Sequence, residues 1–146
     1  MKKNNIYLFF NVFFFFLVIN LCAQTEKKPE LLTKETFIQK VWNFIENPNE
    51  FKYIGDKPCI IDFYSDNCRP CRKIAPYMEE LSKEYDGQIY VYKINTNQQR
   101  ELVHLFQVNS LPLVVFVPMT GEPTRKVSAY TKEAYRKFIK EILLGQ

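Results

Sequence analysis

Cys68-Arg69-Pro70-Cys71 stands where a compact apolar run ends and a helical pattern begins. The run, Cys59-Ile60-Ile61-Asp62-Phe63-Tyr64, has strand length and almost no polar alternation, so it predicts a strand buried on both faces. After a turn at Ser65 to Arg69, Cys71, Ile74, Ala75, Met78, Leu81 and Tyr85 recur at helical spacing. Asp86-Gly87 closes that helix, and Pro76 inside it is an expected kink. A cysteine pair at such a junction has a physical use. The first cysteine meets the unpaired N–H groups and macrodipole of the helix N-terminus, which favour its thiolate. A thiolate is the nucleophile that attacks a disulfide, and the second cysteine is close enough to resolve the mixed disulfide. Pro70 suits the first helical turn, where its missing N–H costs little.

Two blander uses are weaker. A structural bridge closing so short a loop adds little stability. A zinc site needs four ligands, and beyond the pair only Cys59 and the lone His104 remain, so no metal is expected. Cys59, early in the buried strand, reads as a small hydrophobe, and His104 as a surface residue. Asp62 is different. An ionised carboxylate among Ile60, Ile61 and Phe63 is expensive, so it is expected to be neutralised, paired or functional.

The other segments supply cover for a sheet. Phe37, Ile38, Val41, Trp42, Phe44 and Ile45 predict a first helix from an N-cap at Thr33 to a stop at Asn47-Pro48, after a loose polar lead-in from Gln24 to Leu32. Ile89 to Ile94 reads as a strand, Gln98 to Phe106 as a short helix and Leu113 to Val117 as a strand. An edge strand at Arg125 to Ser128 and a last helix capped by Thr131 complete the chain. The order α-β-α-β-α-β-β-α predicts one α/β domain, its central sheet covered by helices on both sides.

The first 23 residues read as an address rather than as fold. Met1 to Asn5 is basic and polar, Ile6 to Ile19 is apolar apart from Asn11, and small residues follow at Cys22 and Ala23. This is the order of a secretory signal, and the apolar run is shorter than the roughly 20 residues of a membrane-spanning helix. Cleavage after Ala23 is expected, leaving 24–146 with a core from about 33. A retained anchor and lipidation at Cys22 are the alternatives. Each sends the rest of the chain out of the cytoplasm, to the periplasm, where a thiol pair can persist oxidised. Without those residues Lys+Arg is 18 against 16 Asp+Glu, so nothing electrostatic suggests nucleic acid.

From Cys59 to Leu144 the chain resembles the thioredoxin family. Lys57-Pro58 with the strand through Tyr64, then Cys68-Arg69-Pro70-Cys71, then Ile74-Ala75-Pro76 follow its strand, redox motif and kinked helix in unbroken register. Leu111-Pro112 resembles its cis-proline loop, and with the signal-like segment the chain looks most like the secreted bacterial members. The resemblance implies a thioredoxin fold, a mixed sheet flanked by helices, here with an N-terminal helical extension. It implies Cys68 as the attacking thiol, Cys71 as the resolving one and a redox disulfide between them. Asp62 would accept the Cys71 proton, with Lys93 as its charge partner, while Arg69, Pro70, Leu111 and Pro112 would meet the substrate. No cofactor is implied, and a monomer is expected.

Three departures stand out. Asn67 replaces the family's Trp before the first cysteine, Arg69 its Gly between the cysteines, and Ser128 a Gly near the last helix. Arg69 places a cation beside Cys68; each unit it takes off that thiol's pKa is about 1.4 kcal/mol, or roughly 30 mV toward an oxidising potential. Three functions follow. The first expectation is a reductase of disulfides in exported proteins, fed by a membrane-bound thiol donor. An oxidase or isomerase and a binding module with little turnover are the alternatives. The stretch between Tyr85 and Gln98 leaves no room for the insertion of cytochrome-maturation relatives.

Overall fold

The computed structural model describes residues 27–146, so the expected signal segment, with Cys22, lies outside the described residues. Five strands form one mixed sheet: β1 (Glu30–Leu31), β2 (Cys59–Tyr64), β3 (Tyr90–Asn95), β4 (Leu113–Val117) and β5 (Thr124–Val127). Their order across the sheet is β1-β3-β2-β4-β5. β1 and β2 both run parallel to β3, β4 is antiparallel to β2, and β5 is antiparallel to β4. The helices are α1 (Lys34–Lys40), α2 (Arg69–Glu84), α3 (Arg100–Leu105) and α4 (Lys132–Phe138), the last running on into a π-helical turn at Ile139–Leu143.

The pleat of the central strands explains both layers. Cys59, Ile61 and Phe63 project to one side with Leu113, Val115 and Val117, where they meet Phe37 of α1 and Leu102 of α3. Ile60 projects to the other side with Val114 and Phe116, where Ile74, Met78 and Leu81 of α2 and Tyr135 of α4 cover it. Cys59 to Phe63 and the whole of β4 are buried because each face of the sheet has its own helices. β5, with one free edge, alternates half-buried and exposed residues instead.

Two local expectations need correction. The lead-in before Thr33 contains β1: Glu30 and Leu31 pair with Tyr92 and Lys93, and Leu32, fully buried, donates its N–H to Lys93 O at 2.8 Å. A two-residue edge strand in polar sequence leaves no periodic signal to read. The first helix is also shorter than its apolar pattern. Thr33 caps it as expected, in a reciprocal box with Thr36, but Val41 departs at φ −119°, and the N–H groups of Val41 and Trp42 both donate to Phe37 O. Trp42 then donates its indole N–H to Asn47 O and packs against Phe44 and Phe51. Trp42 is buried from a turn, with Phe44 and Phe51 half-buried against it, while Ile45 at the end of the apolar stripe is 64% exposed. Bulky β-branched and aromatic residues are poor at extending a helix, and here tertiary burial decides.

Ser128 sits at φ +150°, a backbone region that favours glycine. Its N–H donates to Pro112 O at 3.3 Å and its carbonyl accepts the Tyr135 hydroxyl at 3.1 Å, so packing holds it there. Ser128→Gly should relieve the strain and stabilise the protein by about 1 kcal/mol after glycine's extra unfolded-state entropy, raising Tm by about 4 °C. Thermal melts of the oxidised protein check this; an unchanged or lower Tm would show that the serine is unstrained.

Candidate active site

The site grows from the join between β2 and α2. Cys68 is the N-cap of α2: its backbone is extended, its Sγ accepts the Cys71 N–H at 3.1 Å, and its carbonyl accepts the Arg72 N–H at 3.1 Å. Cys68 and Cys71 form a disulfide with Cα atoms 5.2 Å apart. Cys71 is turned into the core and 3% exposed, whereas Cys68 is half-buried. Cys68 therefore presents the sulfur that a partner can reach, and the N–H aimed at it stabilises negative charge there.

The loop carrying Cys68 is tied down by residues that the sequence pattern did not single out. Arg72 Nη1 donates to Asp66 O at 3.0 Å, and Asn95 Nδ2 donates to both Asp66 carboxylate oxygens at 3.2 Å. Thr96 donates from its N–H and its hydroxyl to Tyr64 O, at 2.8 and 3.0 Å. The available signal was slight: Asn95 and Thr96 are polar residues at the end of an apolar strand.

Asp62 pairs with Val114 on one side and Lys93 on the other, in the middle of the sheet. The pleat puts it on the same side as Ile60, beneath the start of α2. It is 1% exposed, and its Oδ1 has no hydrogen-bond partner. Burial lifts its carboxyl to about 7, and the positive charge of Lys93 only partly opposes this. Lys93 does not close an ion pair: its Nζ stands over the Tyr64 ring, 4.5 Å from the centroid. Asp62, Lys93, Cys71 and Ala75 line one cleft of about 270 Å³, so the acid, the cation and the inner sulfur share a space.

The Leu111-Pro112 bond is cis, and Pro112 is buried. Because β4 runs antiparallel to β2, with Leu113 opposite Phe63, this loop enters the sheet at the end where β2 gives way to the Cys68 loop. Asn67, Arg69 and Pro70 are all exposed, so solvent screens the Arg69 charge. Cys59 is fully buried, and burial pushes its thiol up to about 12, against a smaller opposing hydrogen bond from Tyr53. It stays protonated and takes no part. His104 is exposed on the surface of α3.

Comparison with known proteins agrees with this geometry. The family model described as Thioredoxin matches residues 30–141. A thioredoxin of Borreliella burgdorferi is 37% identical over 110 residues, which cover 75% of this chain and 93% of that protein. The M-type chloroplastic thioredoxin of Spinacia oleracea is 40% identical over 67 residues, 46% of this chain but 37% of that longer protein. Among solved structures, chloroplastic thioredoxin z superposes with a TM-score of 0.64 over 79% of this chain and 94% of that one, at 21% identity, a likeness of fold.

Proposed function

The chain belongs to the thioredoxin family and is a thiol–disulfide oxidoreductase of that type, and on that premise we propose that it reduces disulfides of exported proteins outside the cytoplasm. The observation that carries the reading is the asymmetry of the cysteine pair: a reachable Cys68 at a helix N-cap and a buried Cys71 beside Asp62. Reduced Cys68, as thiolate, attacks a substrate sulfur. One substrate thiolate leaves, and a Cys68 mixed disulfide forms. Cys71 then gives its proton to Asp62 and attacks the Cys68 sulfur; the second substrate thiolate leaves and the Cys68–Cys71 disulfide closes. Two electrons pass from the protein dithiol to the substrate; the Cys71 proton leaves by way of Asp62 to solvent, from which the departing substrate thiolates take theirs. The cleft has room for water to relay the proton between Cys71 and Asp62. The cis Leu111-Pro112 loop stands at the same end of the sheet, where an extended substrate segment would lie beside Arg69 and Pro70.

The signal-like order of residues 1–23 supports export. In that compartment NADPH is absent, so a membrane-bound thiol carrier returns the dithiol. The direction of electron flow is a matter of potential. Equilibration of the Cys68–Cys71 couple in defined thiol–disulfide buffers should give a value near about −270 mV, that of a reductant, because the exposed Arg69 is screened. A value above about −180 mV would replace the reductase with an oxidase or isomerase.

A further inference from the structure

Charge is distributed along α2 against the sense of the helix. Its first turns carry Arg69, Arg72 and Lys73 and no acid, whereas its second half carries Glu79, Glu80 and Glu84 with one base, Lys83. Cations at a helix N-terminus face the positive end of the macrodipole, so this placement costs the helix stability. The acids of the second half are used within the fold: Glu80 pairs with Lys132 and Glu84 with Arg136, both from α4. Lys27, Lys34 and Lys40 are also paired, with Asp86, Glu101 and Glu30. Among the described residues Arg69, Arg72 and Lys73 have no such carboxylate partner. All three are exposed, and with Pro70 they line a shallow cleft directly beside Cys68.

The one acid nearby does not neutralise them. The Asp66 carboxylate is engaged by Asn95, and Arg72 uses a single donor on the Asp66 backbone carbonyl, which leaves the other guanidinium N–H groups open. Arg72 also lines the neighbouring cleft, where Lys93 adds a further positive charge and Asp62, lifted to about 7 by its burial, is only part-ionised at neutral pH.

We propose that the Arg69–Arg72–Lys73 cleft is a docking surface for acidic side chains flanking the disulfide of a polypeptide substrate. The inference rests on the disulfide exchange at Cys68 and adds the class of substrate that this site prefers. A carboxylate set there would take the open Arg donors and offset the cations' unfavourable position on the helix. It would also hold the neighbouring disulfide sulfur over Cys68 without any change in the exchange chemistry. Partners of this charge arrive faster and are held longer, and both effects are sensitive to salt.

Three synthetic disulfide-cyclised peptides test it, identical except that the two residues beside the disulfide are Glu, Gln or Lys. The reduced full chain is mixed with each, and the exchange rate is read at low ionic strength and again in about 1 M salt, where the Debye length falls to about 3 Å. The Glu peptide should react about tenfold faster than the Lys peptide at low salt, a difference of about 1.4 kcal/mol, with the Gln peptide between them. The gap should close in high salt and should shrink at least about threefold in Lys73→Glu, which leaves the Arg72 brace in place and whose reaction with the Gln peptide reports that its site is intact. Equal rates for the three peptides at low salt overturn the docking surface and leave the reductase standing. A preference for Glu that survives undiminished in Lys73→Glu overturns the docking surface equally. Failure to reduce any of the three removes the reductase reading, and the docking surface with it.

Discussion

Replacing Cys71 by serine will leave a protein that attacks disulfides and cannot let go of them. Cys68 keeps everything that makes it a nucleophile: the N-cap position, the inward-pointing N–H of residue 71 and access to solvent. The resolving sulfur is gone, so the mixed disulfide with a substrate such as insulin should accumulate to one per protein chain, visible by mass spectrometry under non-reducing conditions. Turnover should fall by at least about a thousandfold, as it does when one member of a catalytic unit is removed. Cys68→Ser should lose turnover as completely and form no adduct. The remaining Cys59 offers no bypass: it is fully buried, and with its thiol near 12 only about one molecule in 10⁵ carries the thiolate at pH 7. Reduction that persists in Cys68→Ser, or an adduct mapped to Cys59, would sink the roles assigned to the pair.

The site was legible because its parts are close in sequence or carry a strong local rule. β2 and the cysteine pair sit within one stretch from Cys59 to Cys71, and the strand is found with the bounds its composition suggests. Asp62 declared itself by being a carboxylate in an apolar strand, and burial alone makes that expensive. Leu111-Pro112 is a different case: nothing in the dipeptide itself demands a cis bond, and only the resemblance supplied the expectation that the structure meets. What stayed hidden depends on tertiary contacts. β1 exists because Lys93 and Tyr92 of a distant strand offer it partners. The first helix stops early because Trp42 is worth more packed on Phe51 than continuing the helix. The brace of Asp66 by Asn95 joins residues 29 apart in sequence, which no local pattern can show. Lys93 lies beside Asp62 by strand register, yet as a charge over an aromatic ring rather than as the closed ion pair that its position invites.

Asp62→Asn should make the oxidised protein more stable and a slower enzyme, and the pH at which the two effects appear follows from burial. The Asp62 carboxyl lies at about 7 in the folded chain, against 3.8 as the ordinary value. Between those values the folded protein holds a proton that the unfolded chain has released, so stability falls as pH rises through this window and levels off above about 7. The full stabilisation is present below about pH 4. Over the window the loss amounts to about 4 kcal/mol, undiscounted because the side chain is 1% exposed. An asparagine cannot ionise, so the variant should match the wild type near pH 4 and exceed it by up to about 4 kcal/mol at pH 8. Denaturant unfolding at the two pH values measures this directly, and parallel stability curves for variant and wild type would show that Asp62 is not the buried acid described. The kinetic cost comes from the same carboxylate. With no group to take the Cys71 proton, resolution of the mixed disulfide should slow, and the rate profile should lose its inflection near pH 7. A purely structural acid would give the gain in stability without that change in the profile. Both outcomes together would mark Asp62 as an acid kept, at a cost in stability, for the proton it handles, which is the usual trade at a working site.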